Sequence, residues 1–139
     1  MDLQLEHIKC VVVVADSLAS GLQANAASVI TMTLGQRCVE LVGPDVKDSD
    51  GVIHPGVVRV PVPILTAQAE QIDAIWKRSD SDGLVRVGFT ALAQSCRTYE
   101  EYVDRLGATP TADLRFVGVG LYGNKKDVNR MVGSLPLLR

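Results

Sequence analysis

Aromatic side chains are scarce in this chain: one Trp, three Tyr and two Phe among 139 residues, 4% of the total. Its core must therefore be aliphatic, built from Val, Leu, Ile and Ala. Positive charge is not in excess either. Fourteen Lys and Arg stand against sixteen Asp and Glu, giving a formal net charge of -2 and a pI of about 5.6. Nucleic-acid binders draw most of their affinity from phosphate contacts, so nucleic acid is not an expected partner. The densest basic segment, Lys125, Lys126 and Arg130, is interrupted by Asp127 and reads as the solvated face of a helix. Cysteine is limited to Cys10, Cys38 and Cys96, far apart and without a CxxC, and the only histidines are His7 and His54. No metal site is expected from that set. No stretch approaches the roughly 20 apolar residues of a membrane span, and Asp2 and Glu6 interrupt the start where a signal peptide would be apolar. The expectation is a cytoplasmic protein with reduced thiols, no membrane contact, no metal and no cofactor.

What is present is an ordinary globular mixture, 47% hydrophobic and 22% charged, with enough apolar side chain to offset chain entropy. The length fits one domain over residues 1–139. Ile8–Ala15 is a continuous β-branched run, the pattern of a strand covered on both faces. Ser20-Gly21-Leu22-Gln23 reads as a capping box, opening a helix over Leu22–Leu34 that stops at Gly35. Asp50-Gly51 predicts a two-residue hairpin turn within Val39–His54. Val57–Val62 predicts the next strand, ending or lying at an edge because Pro61 and Pro63 cannot donate to a ladder. Thr66 is placed as the N-cap of a helix over Ala67–Arg78, whose Ala69, Ile72, Ile75 and Trp76 share one face.

Asp82-Gly83 reads as a turn before a strand at Leu84–Phe89. Ala91–Arg97 has no clear pattern. Thr98-Tyr99-Glu100-Glu101 forms a second capping box before a helix at Tyr99–Leu106. Leu114–Val119 is the last core strand, and Asn124 caps a helix at Lys125–Val132 with Asp127 in its favourable first turn. Alternating strands and helices predict a three-layer α/β/α sandwich with a mixed sheet of four core strands and a small hairpin insertion.

Several motifs have a chemical and a structural reading. Gly118-Val119-Gly120-Leu121-Tyr122-Gly123 spells GxGxxG. The dinucleotide fingerprint needs a following strand with an acidic residue about 20 positions on, and no such strand follows. Close strand–helix packing accounts for the glycines better. Asp48–Gly51 and Asp80–Gly83 resemble the middle of calcium loops, but Val46 or Arg78 would stand at the first ligand position and Val57 or Phe89 at the last. Cys10, Cys96 and His54 lack a readable base–nucleophile arrangement. The polar groups at the carboxyl end of the first strand are more suggestive, because ligands of open α/β sheets bind there. They are Asp16, Ser20, Gln23 and Asn25.

The opening IKCVVVVADSLASGLQANAA and the close RFVGVGLYGNKKDVNRMVGSLPLL resemble the type II peptidyl-tRNA hydrolases. The intervening VVRVPVPILTAQAEQIDAIWKRSDSDGLVRVGF follows their strand–helix–strand order. Asp16–Ala27 looks closer still to a bacterial family of uncharacterised proteins related to that fold. The resemblance implies a Lys in the loop after the first strand, and an Asp and a Thr after the third, as the machinery of ester cleavage. Here Asp16–Asn25 contains no Lys or Arg. Ser95-Cys96-Arg97-Thr98 aligns with the family's Gly-Arg-Thr, placing Gln94 near its Asp; alternatively Asp104 and Thr109 fill those roles. Without the Lys, no cation is supplied to a phosphate or a developing oxyanion.

The function expected is therefore a binding or regulatory module on a hydrolase-like scaffold. Its candidate ligand contacts are Asp16, Ser20, Asn25, Arg97 and Thr98, and its ligand is a small molecule or a peptide. The alternative is a hydrolase of an ester or amide, including peptidyl-tRNA, with Arg97 as substitute cation. A homodimer is expected, with the apolar tail Leu135–Leu138 as one candidate contact.

Overall fold

The computed structural model describes residues 5–81 and 83–139. The first strand, β1 (Ile8–Ala15), lies inside a four-stranded sheet, and Cys10 to Ala15 are at most 2% exposed. A β-branched run without polar alternation can be satisfied only there, with apolar cover on both faces. The other strands are β4 (Ile64–Ala67), β5 (Val85–Thr90) and β6 (Phe116–Asn124), in the order β4-β1-β6-β5. β1 runs parallel to β4 and antiparallel to β6, and β6 runs antiparallel to β5, so the sheet is mixed as expected.

Helix α1 (Ser20–Arg37) covers one face, burying Ala26, Ile30 and Leu34 against Val12 and Val14. Helices α2 (Ala69–Arg78) and α5 (Lys125–Val132) cover the other, where Ile72, Ile75, Val128 and Val132 meet Val11, Val13, Val119 and Leu121. Two short helices, α3 (Ala91–Ser95) and α4 (Tyr99–Gly107), follow β5. A hairpin of β2 (Val46–Lys47) and β3 (Ile53–His54) stands apart from the sheet. These are the three layers and the hairpin that the sequence predicts.

The third element is displaced from its expected place. The strand predicted at Val57–Val62 is not in the sheet; the ladder begins after Pro63. The Pro63 carbonyl accepts from the Val12 amide at 3.1 Å, and pairing continues through Ile64–Ala67. Proline can accept but not donate, so Pro61 and Pro63 hold the chain out of a two-sided ladder. Val57–Pro61 instead crosses the rim, with Val58 bridged to Val42 and Val60 buried under the α1 face. Thr66 consequently lies in β4 and does not cap α2. The residue preceding that helix is Gln68, whose amide donates to the Gln71 side chain at 2.9 Å.

Other boundaries also move. Ala19 occupies the N-cap position of α1 and supplies no side-chain cap, so Ser20 and Gln23 form no capping box. Gln23 instead donates to the Ala15 carbonyl at 3.1 Å, fastening the helix to the end of β1. Gly35 does not stop α1, which runs through it to Arg37 and closes with the Cys38 amide on the Leu34 carbonyl. The Asp50-Gly51 turn is present, with Gly51 at φ +84°, but the connection is longer than two residues: Asp48–Val52 separates β2 from β3. Asp48 organises it by accepting from the Asp50 and Val52 amides and pairing with His54 at 2.8 Å. Of the predicted Asp82-Gly83 turn, Asp82 lies outside the described residues. Ala91–Ser95, without a clear sequence pattern, is a short helix capped by Thr90.

The tail does not stand free. The Thr66 amide donates to the Pro136 carbonyl, the Leu138 amide donates to the Ile64 carbonyl, and Leu65 pairs with Leu137. The tail thus covers the outer edge of β4, a common way to blunt an exposed strand edge. Leu135 packs on one core and Leu138 on the other, while Leu137 stays about half exposed.

Candidate functional site

The three turns of α1 that carry Ala26, Ile30 and Leu34 lie close upon β6. Glycine permits this approach. A Cβ at Gly118 would lie 2.7 Å from Ile30 Cδ1, and one at Gly120 would lie 2.8 Å from Leu34 Cδ1. Residues 118–123 continue as regular strand, with Gly118 paired to Val14 and Gly123 to Lys9. The GxGxxG motif is therefore not a phosphate loop; at Gly118 and Gly120 it is a seat for a helix. Gly123 meets another segment, where an added Cβ would approach Leu84.

One helix cannot cover a four-stranded face. Beyond β6, the α1 side of β5 is only partly covered, and Val87 and Phe89 remain partly exposed. The chain leaving β5 returns beside it as α3 and α4. A cleft of about 620 Å³ lies between, with α1 on one side, Val87–Phe89 as floor and Cys96–Tyr102 on the other side. That size suits a small-molecule ligand. α1 contributes Val29, Thr33, Gln36 and Arg37; the opposite wall contributes Arg97, Thr98, Tyr99 and Tyr102.

The corner from α3 to α4 is fixed by its own bonds. Thr98 caps α4 by accepting from the Glu101 amide at 3.1 Å, and the Arg97 amide donates to the Glu101 carboxylate at 3.2 Å. Arg105 binds that carboxylate at 3.2 Å, the Ser95 hydroxyl at 3.1 Å and the Cys96 sulfur at 3.6 Å. Arg105 is thus engaged in structure, and it supplies a cation to the Cys96 sulfur. The Cys96 thiol donates to the Leu92 carbonyl at 3.3 Å.

Among the predicted contacts, Arg97 and Thr98 line the cleft. Asn25 sits one turn before Val29 and accepts from Gln94 at 3.4 Å, while Gln94 also donates to the Leu22 carbonyl at 3.1 Å. This ties α1 to α3 near the cleft residue Ala93. Asp16 and Ser20 do not line the cleft; the Asp16 amide closes the β1–β4 ladder on the Ala67 carbonyl. Sequence reasoning missed Arg37, Tyr99, Tyr102 and the floor of β5. Only the return of α4 toward α1 assembles them, and no local pattern encodes that return.

The same face of the sheet holds a second polar group, in which two buried thiols meet a half-buried Tyr–Glu pair. Cys10 on β1 pairs across the ladder with Tyr122, whose hydroxyl donates to Glu40 at 2.8 Å, and Cys38 closes α1 nearby. Burial, then the neighbouring Cys38, push the Cys10 thiol up to about 11. Burial and Glu40 raise Cys38, and burial followed by the Glu40 hydrogen bond raises Tyr122. These groups stay neutral at ordinary pH and act as packing residues, as a buried cysteine usually does. Among the described residues no cluster of His, Cys, Asp and Glu could hold a metal, and no helix is long and apolar enough to cross a membrane.

Comparison with known proteins agrees with this architecture. Residues 8–139 match a family described as "Protein of unknown function (DUF2000)". A solved structure of a protein of unknown function from Agrobacterium tumefaciens strain C58 has the same fold. It superimposes with a TM-score of 0.86 at 16% identity, covering 96% of this chain and 98% of that one. No match was found among the curated proteins.

Proposed function

The chain belongs to the DUF2000 family of proteins of unknown function, and for it we propose a ligand-binding role in the cleft between α1, β5 and α4. The single observation that supports this reading is the composition of that cleft: a preformed concavity with an apolar floor and a few convergent polar groups, the usual make-up of a small-molecule site. Arg97 and Thr98 are its contacts and Asn25 marks its end, while Asp16 and Ser20 lie outside it, at the close of the β1–β4 ladder and the start of α1. The scaffold is read as hydrolase-like, related to the type II peptidyl-tRNA hydrolases and lacking their catalytic Lys. The protein is read as cytoplasmic.

A second reading, cleavage of an ester or amide, is favoured by one observation: the Cys96 thiol lines the cleft with the Arg105 guanidinium 3.6 Å from its sulfur. A nucleophile also needs a base within hydrogen-bond reach. Neither His54, which pairs with Asp48 on the hairpin, nor His7 lines the cleft. Binding is therefore the leading role.

A thermal-shift screen of metabolites, run beside a broad ester and amide substrate screen, separates the two. Binding predicts ligands that raise the melting temperature and lose their effect in Arg97→Ala, with no turnover. Turnover abolished by Cys96→Ala would reverse the order. Peptidyl-tRNA is assayed directly, and no cleavage is expected even at high protein concentration.

Assembly into a homodimer is part of the same proposal, but the tail is not its best-supported contact. From Leu18 to Gln36 the chain carries no charge, and α1 exposes Leu22, Val29 and Met32, the last at 79%. An uncharged apolar helix face can meet its own copy across a two-fold axis without like-charge repulsion.

A further inference from the structure

We propose that the cleft ligand is a small aromatic anion, a flat ring system bearing a carboxylate or a phosphate monoester. This rests on the cleft being the binding site. The charge balance of the cleft is the first argument. Its lining contains Arg37 and Arg97 and no Asp or Glu, in a chain whose net charge is -2. Among the described residues neither guanidinium has an acidic partner within 4 Å or a side-chain hydrogen bond, whereas Arg86, Arg105 and Arg130 are each paired. Glu101, the carboxylate bound by the Arg97 backbone amide, is already engaged by Arg105. Two unneutralised guanidinium groups come from opposite walls, Arg37 from the last turn of α1 and Arg97 from the corner before α4. A planar fork of donors suits a carboxylate or phosphate better than any neutral group.

The body of the ligand follows from the rest of the lining. Val87 and Phe89 form the floor and Val29 a side wall. Tyr99 and Tyr102 lie with ring centroids 5.6 Å apart, and Tyr99 is 75% exposed. Half of the chain's few aromatic residues thus line this one cleft (Phe89, Tyr99 and Tyr102 of six). Aromatic faces beside cations and over an apolar floor favour a flat ring with a charged substituent. Thr33, Gln36 and Thr98 add neutral hydrogen-bonding groups along the walls.

The test uses three compounds of one shape on the full chain: 1-naphthylacetate, its neutral isostere 1-naphthylacetamide, and 1-naphthyl phosphate. Binding is followed by amide chemical-shift changes at Val87, Phe89 and Cys96. At least one anion is expected to bind tenfold or more tighter than the amide, and the order of carboxylate and phosphate identifies the anionic group. Arg37→Gln and Arg97→Gln should each weaken anion binding about fivefold or more, leave the amide unchanged, and preserve the remaining spectrum. Equal affinity for anion and amide at these resonances overturns the anionic assignment while leaving the cleft as a binding site. Undiminished anion binding in both Arg variants overturns it as well. Absence of any shift at Val87, Phe89 and Cys96 with all three compounds overturns both this inference and the cleft reading on which it stands.

Discussion

The two faces of the sheet solve the same burial problem with different chemistry. Under α2 and α5 the core is built from Val11, Val13, Ile72, Ile75, Val119, Leu121, Val128 and Val132, closed by Trp76 stacked on Phe116 at 4.5 Å. Arg86 lies 3.7 Å over the Trp76 ring, and Asp73 accepts from the Phe116 amide at 3.0 Å. Under α1 there is one helix instead of two, the strand beneath it carries glycines, and the core includes the thiols of Cys10 and Cys38. The face with a single helix leaves β5 partly open, and the candidate site forms there. The candidate site thus falls where cover is incomplete, and the glycine seat lets α1 pack tightly over β6 while the β5 side remains open.

The largest expected effect tests that seat. Ile30→Ala should cost about 4 kcal/mol, within the range for emptying a fully buried position. Gly120→Ala should cost about 2 kcal/mol, because the new methyl presses on Ile30 and Leu34. In the double variant the methyl enters space vacated by Ile30, so the combined loss should fall short of the sum by about 1 kcal/mol or more. Urea unfolding of the four proteins provides the cycle, and strict additivity would falsify the packing role of Gly120.

Alkaline pH should weaken the α1 face selectively. The native Cys10 thiol is raised to about 11 from 9.0, so the folded state holds its proton when the unfolded state releases it. The stability this contributes is complete below about pH 9 and is lost as pH rises to 11, about 3 kcal/mol in all. Cys38 and Tyr122 shift in the same direction. Cys10→Val should therefore flatten, but not abolish, the fall in urea midpoint between pH 9 and 11. An unchanged slope in that variant contradicts the enclosed thiol.

Gly35→Ala should have the opposite sign to Gly120→Ala. An added Cβ at Gly35 meets nothing within 4 Å, and the position lies inside α1. A gain of about 0.5–1 kcal/mol is expected from helix propensity alone, readable as a rise in melting temperature. A loss would mean that α1 ends at Gly35 in solution, as its sequence first suggests.

The smallest effect on stability is expected at the exposed side of the same helix. Met32→Lys should change unfolding free energy by less than about 0.5 kcal/mol. It should nevertheless convert a dimer to monomer, with light scattering moving to a mass near 14.9 kDa. Wild-type protein that already scatters as a monomer at micromolar concentration removes the dimer proposal.

Where local pattern carried physical information, the sequence was sufficient. Ile8–Ala15 has one stable environment, between two apolar layers, and α2 and α5 show which faces they bury because apolar and charged residues separate along them. Asn124 as a cap, accepting from the Lys126 amide at 2.9 Å, follows from side-chain chemistry at one position. α1 gave no comparable signal: uncharged from Leu18 to Gln36, it does not mark its inner face by polarity. What selects Ala26, Ile30 and Leu34 is the groove over Gly118 and Gly120, nearly a hundred residues away in the chain. β4 could not be placed from Val57–Val62 because the apolar pattern continues past the prolines. Only pairing with β1 decides where the ladder starts. The candidate cleft is tertiary in the same sense. Arg97 and Thr98 could be singled out from sequence, but Arg37, Tyr99, Tyr102 and Phe89 join them only when the chain after β5 folds back beside α1. Burial and helix periodicity are properties of neighbouring residues and can be read along a chain. A site shared by separate elements depends on how those elements pack, and packing is decided by the whole fold.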